Sequence, residues 1–291
     1  MKTKTLIFRS ALALAMASLV ITGCKKKEED DTDTDSARDN AYAESMYADA
    51  ANISDEAGQK GSVSNYKGVE NDNVLSACAT VTWSNKNSAD QDTITINFGT
   101  TNCICADGRA RRGEFYVYYS GKYKTPGSTH TISLNSLSNP YYVDNNKVVG
   151  TKTVKNNGFN SSGNLNWSIN VNGTITLASG GTITWVSSRG RELLKGYNAA
   201  DSTIIWVGSK WSITGSANGT NAKGTSYTAN ITSPLIRDFS CSGAGKRHFT
   251  QGVCDITPSG KSTRTIDFGN GNCDDQATVT IKGKTYNVTL K

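Results

Sequence analysis

From about residue 74 onward, apolar residues alternate with threonine, asparagine or serine. A period of two is typical of a β-strand with one buried and one solvated face, because successive side chains point to opposite sides. Five segments have this pattern: TITINF at 93–98, LNWSINV at 165–171, GTITL at 173–177, GTITW at 181–185 and ATVTI at 277–281. No helical crossover pattern separates them, so we do not expect a parallel α/β sheet.

Short turn segments between these runs predict tight hairpins. They are Asn172-Gly173, Ser179-Gly180-Gly181 and Lys282-Gly283-Lys284. Composition agrees with β structure, because Asn, Ser and Thr together make up roughly a third of the chain, unlike a helical bundle, a coiled coil or a nucleic-acid tail. We predict an all-β fold, an antiparallel meander forming a sandwich or a strongly curled sheet, with one N-terminal amphipathic helix.

Residues 36–58 contain the one convincing helical pattern. Ser36 and Asp39 resemble the start of a capping box. Apolar residues then recur every three or four positions, which places them on one helical face. They are Tyr42, Met46, Ala50, Ile53 and Ala57. Such a stripe more often packs than binds a cofactor, so we expect this helix to lie on the β body.

The first 24 residues have the layout of an export signal. Lys2, Lys4 and Arg9 precede an apolar run at 10–22 that is too short to span a bilayer. The run ends in ITGC at 21–24, which resembles a bacterial lipobox. That resemblance implies cleavage before Cys24, lipidation of its thiol, and attachment to a membrane through acyl chains without spanning it. A chance cysteine after an ordinary signal peptide is the alternative.

The charged run KKKEEDD at 25–31 follows directly. Such a run is typical of a solvated tether, because it buries too little surface to offset chain entropy. Its order, basic before acidic, also resembles the export signal of surface-exposed Bacteroidetes lipoproteins. The resemblance implies an outer-membrane location with exposure at the cell surface; an anchor facing the periplasm is the alternative.

These patterns divide the chain into four parts. We predict a lipoprotein signal peptide at 1–23, a lipidated acidic tether at 24–35, a helix and linker at 36–72, and a β body at 73–291.

Charge is distributed unevenly along the chain. Residues 24–72 have 6 basic and 13 acidic residues, whereas residues 73–291 have 22 basic and 12 acidic ones. Part of the net charge of +6 belongs to the signal, so it does not indicate nucleic-acid binding, and no nucleic-acid partner is expected. A basic body could attract polyanions such as acidic glycans or lipopolysaccharide, although a solvated surface without a specific partner is the commoner outcome.

Two related modules, at 74–124 and 250–291, bracket the β body. TITINFGTTNC at 93–103 matches TRTIDFGNGNC at 263–273 at seven of eleven positions. Six cysteines remain besides Cys24, and an exported protein favours their oxidation to disulfides. The repeat suggests three pairs: Cys78 with Cys103, Cys254 with Cys273, and Cys105 with Cys241.

Aromatic side chains on a solvated strand face would form a platform for a glycan. Each of the five tryptophans is an even number of residues away from apolar residues of its own strand, so it points to the same side and is expected in the core. They are Trp83, Trp167, Trp185, Trp206 and Trp211. The strand at 114–123 differs, because Tyr116 and Tyr118 lie opposite its apolar face. These two, with Tyr141 and Tyr142, are the candidate ligand platform, unless the strand is buried on both sides.

The loop GRARRG at 108–113 concentrates Arg109, Arg111 and Arg112. Such a group could bind a phosphate or carboxylate. A solvated hairpin tip is the commoner role of such a run.

Three short strings resemble the motif that Bacteroidetes use for O-glycosylation, which implies modification at Ser36, Thr93 or Ser202. Chance matches to this motif are frequent in a chain so rich in serine and threonine.

Catalytic signatures are missing from the sequence. There is no GxSxG, HExxH or Walker loop, and the chain has only two histidines, so we expect neither a metal nor a cofactor. We predict a non-enzymatic binding or structural role, with a glycan or adhesion ligand. The alternatives are an envelope component that acts through a protein partner, and a carbohydrate-active hydrolase, which would need two converging carboxylates.

Overall fold

The computed structural model describes residues 31–62, 78–84, 91–105, 107–120, 125–200, 202–205, 208–244 and 249–290. The chain divides into two compact units, Met1–Thr32 and Asp33–Lys291, and all secondary structure of the described residues belongs to the second. The predicted signal peptide, Cys24, most of the tether and linker, and Trp206 lie outside the described residues.

The described residues form one α-helix, one 3-10 helix and a long series of strands. The helices are α1 (Asp35–Ser62) and the 3-10 helix Phe239–Ala244. The first nine strands are β1 (Thr80–Trp83), β2 (Gln91–Asn97), β3 (Cys103–Ile104), β4 (Ala110–Arg112), β5 (Glu114–Ser120), β6 (Thr129–Ser133), β7 (Tyr142–Val143), β8 (Asn146–Phe159) and β9 (Leu165–Thr176). The other nine are β10 (Thr182–Lys195), β11 (Tyr197–Asn198), β12 (Thr203–Ile204), β13 (Lys210–Thr220), β14 (Ser226–Asp238), β15 (Gln251–Pro258), β16 (Arg264–Asn270), β17 (Gln276–Ile281) and β18 (Lys284–Thr289).

Sixteen strands form one antiparallel sheet that does not close. Its main path runs β1-β2-β5-β6-β8-β9-β10-β13-β14-β15-β16-β17-β18, so spatial neighbours are mostly neighbours in sequence. The short strands β3, β4 and β7 form a side branch, and β11 pairs with β12 alone. The predicted antiparallel meander with one N-terminal helix is therefore confirmed, as a single sheet rather than two packed ones.

The sheet curls around α1. Between residues 35 and 58 the exposed positions of the helix are Arg38, Ala41, Ser45 and Asn52, which form one narrow stripe. The rest of its circumference is buried or half-buried against strands that range from β2 to β15. We call the side of the sheet that faces α1 the inner face, and the opposite side the outer face.

The predicted apolar face of the helix is confirmed. Met46, Ala50, Ile53 and Ala57 are at most 1% exposed, and Tyr42 is half-buried. On the sheet, Trp167, Trp185 and Trp211 are buried as predicted, whereas Trp83 is half-buried against the core.

The capping box predicted at Ser36 is wrong. The helix starts one residue earlier, and the Asp33 carboxylate accepts the backbone N–H of Asp35 at 2.8 Å. Ser36 and Asp39 instead accept hydrogen bonds from Asn221 and from the Ala222 N–H, at 3.0 and 2.8 Å. Both side chains therefore hold the turn between β13 and β14 against the helix.

The hairpin predicted at Asn172-Gly173 is also wrong, because β9 runs through both residues without a turn. Gly173 faces inward, and a Cβ built there would lie 1.8 Å from the Tyr47 hydroxyl. This glycine therefore makes room for a helix side chain. The other two predicted hairpins are confirmed: β9 turns into β10 at 177–181, and β17 turns into β18 at Lys282 and Gly283 with positive φ.

The two sequence repeats have the same local geometry. Gly99 and Gly269 both have positive φ, of 78° and 89°. Their N–H groups donate to the side chains of Asn97 and Asp267, at 2.7 and 2.8 Å. Each repeat thus has the same side-chain-capped bend before its cysteine, directly after β2 in the first repeat and near the end of β16 in the second.

One of the three predicted disulfides is confirmed and two are wrong. Cys78 binds Cys103 as predicted, but Cys273 binds Cys241, which leaves Cys105 and Cys254 as buried free thiols. Cys254 pairs with Ile266 in the middle of β15. From Ile266, β16 continues for four more residues, about 13 Å, before the chain reaches Cys273. Cys254 and Cys273 are therefore too far apart to form a bond.

Candidate ligand-binding face

The tyrosine pair predicted on β5 lies on the outer face. Phe115, Val117 and Tyr119 of the same strand are buried against the core. Tyr116 is half-buried, and Tyr118 is 45% exposed. The two rings stack with centroids 6.4 Å apart and planes inclined by 27°. The strand therefore has one wet face, and that face displays two adjacent aromatic rings.

A hydrogen bond fixes one of the two rings. The Tyr116 hydroxyl donates to Glu114 Oε1 at 2.7 Å, and this bond, together with burial, raises the pKa of Tyr116. Ser136 and Asn97 also donate to the Glu114 carboxylate, at 3.0 and 3.1 Å. Tyr116 is thus held in place, while the more exposed Tyr118 ring is available for contact.

The other two predicted platform tyrosines do not offer an open ring, because one is buried and the other is covered. Tyr141 is 1% exposed and packs edge-on against Phe115 with centroids 5.0 Å apart, so its assignment to a ligand platform is wrong. Tyr142 is half-buried, and the Arg112 guanidinium covers its ring at 3.8 Å. Both follow Pro140, and Tyr142 belongs to β7 of the side branch, where it pairs with Arg112 of β4.

Strand register continues the tyrosine pair into two parallel rows of outward-facing side chains, which are polar except for Val186. The first row is Tyr116, Ser133, Thr151, Asn172, Val186 and Asn218. The second row is Tyr118, Thr131, Thr153, Asn170, Ser188 and Ser216. Five steps of about 4.8 Å between strands make each row roughly 24 Å long. The rows together form a continuous strip across six strands.

The strip is concave at the end away from the tyrosines. A shallow groove of about 330 Å³ lies over β8, β9, β10 and β13, and no charged residue lines it. Its outward polar residues are Thr151, Thr153, Asn170, Asn172, Ser188, Ser216 and Asn218. We refer to these seven as the groove residues.

The groove residues differ from the polar residues around them in their hydrogen bonding. Elsewhere on the outer face, hydroxyls pair across strands: Thr184 with Thr220 at 2.8 Å, and Thr280 with Thr285 at 2.9 Å. Thr265 likewise donates to Asp255 at 2.6 Å. Within the described part of the chain, the side chains of the groove residues make no such bonds. Their donors and acceptors therefore face outward, where a polar ligand can use them.

The three arginines of the 108–113 loop do not form an anion site. Arg111 is fully buried; it donates two bonds to Asp107, at 2.6 and 2.7 Å, and reaches Asp49 of α1 at 2.8 Å. Burial alone would raise the pKa of Asp107, but the bonds from Arg111 and from the Arg109 N–H, together with the charges of both arginines, lower that pKa. The prediction of a solvated anion-binding residue is wrong for Arg111, because the guanidinium joins the helix to the sheet.

The neighbours of Arg111 are occupied as well. Arg109 pairs with Asp144 at 3.0 Å and approaches Asp49 at 3.8 Å. Arg112 donates to Asn102 and Asn145, both at 2.8 Å. The structure thus gives all three arginines protein partners, and the loop is a clamp rather than a ligand site.

The inner face contains further basic residues, and they too bind the helix segment. Lys152 donates to the Tyr47 carbonyl at 3.0 Å, Arg189 pairs with Glu44 at 3.2 Å, and Arg264 donates to the Asp33 carbonyl at 2.9 Å. These contacts explain the uneven charge along the sequence. Several cations of the basic body lie inside, where they neutralise and hold the acidic helix.

The candidate glycosylation residues have different surroundings. Ser36 is 1% exposed, and its hydroxyl accepts the bond from Asn221, so the folded chain has no room for a glycan there. Thr93 is half-buried on β2, and Ser202 is exposed at a position with φ of 57°. The prediction is therefore wrong for Ser36 and stays a prediction for the other two.

Sequence reasoning missed the groove and the inner cations. Each groove residue occupies an outward position in the alternation of its strand. Alternation along one strand does not show which outward residues become neighbours on adjacent strands. Lys152 and Arg189 could have been recognised from the sequence. Each is a charged residue at an inward position of a strand whose inward positions include several apolar residues. A charged residue at inward parity predicts a buried partner.

The described residues include neither a metal-binding cluster nor a membrane-spanning helix. No group of three or more His, Cys, Asp and Glu side chains there is arranged to hold a metal ion. No helix among those residues is both long and apolar enough to cross a bilayer.

Comparisons with protein-family models, with curated proteins and with solved structures each found no match for this chain.

Proposed function

We propose that this protein is a lipid-anchored, surface-exposed outer-membrane protein that binds an uncharged glycan through the strip formed by the tyrosine pair and the groove residues. The observation that supports this most is the set of unpaired hydroxyl and amide groups in the groove. A sugar presents closely spaced hydroxyls, each able to donate and accept, and these side chains offer the matching groups at regular spacing.

The composition of the strip supports the same ligand class. The groove lining has no charged side chain, so it offers nothing to discriminate in favour of an anionic glycan. At the other end of the strip, the exposed Tyr118 ring offers an apolar surface with a polar rim, of the kind that stacks on a sugar ring. An acidic glycan, which the net charge of the body favours, is the less suitable ligand, because several of the body's cations bind the helix instead.

The anchor rests on the sequence. ITGC at 21–24 with the charged run behind it supports lipidation of Cys24 and display at the cell surface. Protease treatment of intact cells should release the β body, and Cys24→Ala should remove the protein from the membrane fraction. Retention of Cys24→Ala in the membrane would contradict lipid anchoring, and protection of the body from protease would contradict surface exposure.

The ligand class is tested on an array of neutral and acidic glycans with the full chain. We expect binding to neutral oligosaccharides of several units and none that requires an acidic sugar. The double variant Asn170→Ala, Asn172→Ala should lose this binding, because it removes two adjacent amides from the groove. Asn287→Ala is the matched control, since Asn287 is an exposed asparagine on the far edge strand.

Two results would overturn the proposal. One is an array without any neutral ligand. The other is a double variant that binds as well as the Asn287→Ala control.

A further inference from the structure

A small cavity lies between the second half of α1 and the inner face of the sheet. Its volume is about 50 Å³. Six of its lining side chains are polar or charged: Asp55, Ser128, His130, Lys152, Asn156 and Arg191. They come from α1, from β6 and the residue before it, and from β8 and β10, so the curl of the sheet brings together residues far apart in sequence. The cavity is separate from the groove, because it lies on the opposite face.

Positive charge dominates this cavity. Lys152 is 8% exposed, and its Nζ donates to the Tyr47 carbonyl at 3.0 Å. The Arg191 guanidinium lies over the rings of Trp167 and Trp211, 5.2 and 4.6 Å from their centroids. Asp55 is the one carboxylate in the lining. The cavity thus has two cations and a histidine against a single acid.

The titration behaviour agrees with this imbalance. Burial, with a further contribution from Arg191, lowers the pKa of Lys152 to about 8, while Asp55 and Glu44 on α1 act in the opposite direction. Burial likewise lowers the pKa of His130, with Arg191 and Lys152 adding to the effect and Asp55 opposing it. A bound anion would offset the repulsion among these groups.

The remaining walls of the cavity are apolar. Val154, Ile169, Trp167 and Ile204 line it. One water position needs roughly 10–15 Å³, so the cavity has room for about three to five non-hydrogen atoms. The planar fork of a guanidinium fits a carboxylate better than it fits a spherical ion.

We propose that this cavity binds a short-chain carboxylate, of the size of acetate or propionate, with the carboxylate between Lys152 and Arg191 and the alkyl group against Val154 and Ile169.

The first test compares propionate with propionamide, its uncharged analogue, on the full chain by titration calorimetry. We expect saturable binding of propionate and at least about tenfold weaker binding of propionamide, because hydrogen bonds to charged groups are the stronger ones. Equal binding of the two would overturn the proposal, as would displacement of propionate by an equal concentration of chloride. This comparison needs no variant, so it remains decisive if substitutions here prevent folding.

The second test uses a matched pair of lysines on β8. Lys152 points inward and Lys155 is exposed. Lys152→Met should weaken propionate binding about tenfold or more, whereas Lys155→Met should leave it unchanged. Unaltered affinity in Lys152→Met would overturn the assignment.

The third test is pH dependence. Propionate affinity should be constant from pH 7 to 8 and then fall by up to about tenfold per pH unit, since the unliganded lysine loses its proton there. A flat profile up to pH 10 would contradict a role for the Lys152 ammonium.

Discussion

The two faces of the sheet are built by the same strands but have opposite chemistry. On β8, Lys152 is buried against the helix, while Thr151 and Thr153 on either side of it face outward in the groove. The inner face puts its cations beside α1, and those cations have protein partners. The outer strip is uncharged, and its groove residues have none among the described side chains. The inner cations therefore contribute to holding the helix against the sheet, and the neutral polar groups of the outer strip are where we propose that a glycan binds.

This comparison predicts that substitutions on the inner face are costly. Arg111→Met leaves the half-buried carboxylates of Asp49 and Asp107 without their nearest cation, a guanidinium that is itself fully buried. The free energy of unfolding should fall by about 3–5 kcal/mol, measured by urea denaturation.

Arg112→Met is the control for this variant. Arg112 is half-buried and binds the amides of Asn102 and Asn145, so we expect a loss of about 1 kcal/mol or less. Equal losses in the two variants would contradict the clamp.

The end of the sheet formed by β16, β17 and β18 has less contact with the helix than the strands from β2 to β15. Its stability should therefore depend less on the inner cations. Ala277, Val279 and Ile281 are buried but lie outside the main core cluster. The Cys241–Cys273 bond closes a separation of 32 residues at this end, which corresponds to about 3–4 kcal/mol of stabilisation. The double variant Cys241→Ser, Cys273→Ser should lose that amount in urea denaturation.

Non-reducing peptide mapping of the unmodified chain supplies the control. It should link Cys241 to Cys273 and leave Cys254 as a free thiol. A peptide that joins Cys254 to Cys273 would contradict the corrected pairing.

Stability of the inner face should depend on pH through Lys152. Its pKa is about 8 in the folded chain, against an ordinary value of 10.5. Between these values the unfolded chain binds the extra proton, so the free energy of unfolding should rise with pH, by up to about 1.4 kcal/mol per unit. Below pH 8 both states are protonated, and this destabilising contribution is constant.

Comparison with Lys152→Met isolates this effect. The variant should lack the rise between pH 8 and 10, whereas Lys155→Met should retain it. Parallel curves for the native chain and Lys152→Met would count against a buried ammonium.

The smallest stability effect is expected on the outer face. Asn170 is exposed and its side chain has no hydrogen bond among the described residues, so Asn170→Ala should change the free energy of unfolding by no more than about 0.5 kcal/mol. Ile169→Ala, one residue away and inward, should cost about 2–4 kcal/mol. Similar costs at the two positions would remove the distinction between the faces.

Much of the fold was predictable because strand periodicity is local. Alternation identified β2, β9, β10 and β17, and the 3- and 4-residue spacing identified the buried face of α1. The failures depend on distant partners. Asn172-Gly173 has the composition of a turn, but its glycine is needed because Tyr47 packs there. The prediction of the cysteine pairs failed for a similar reason. The repeat predicts the local bend before Cys273, but it does not predict that the segment containing Cys241 lies next to that cysteine.

The candidate site was predictable only in part. Parity alone placed Tyr116 and Tyr118 on the wet face. It did not place Tyr141 or Arg111, because β4 has three residues and β7 has two, which is too short for alternation to assign a face. The groove residues come from four strands between 151 and 218, so recognising them requires the register of each ladder.

The central claim is that the outer strip binds an uncharged glycan, and Tyr118 tests it most directly. Using a neutral oligosaccharide that binds the native chain, calorimetry should give about tenfold weaker affinity for Tyr118→Ala, because the variant removes the exposed ring. Tyr286→Ala, which removes a half-buried tyrosine from edge strand β18, should bind like the native chain. Unchanged affinity in Tyr118→Ala, or an equal loss in both variants, would contradict the account.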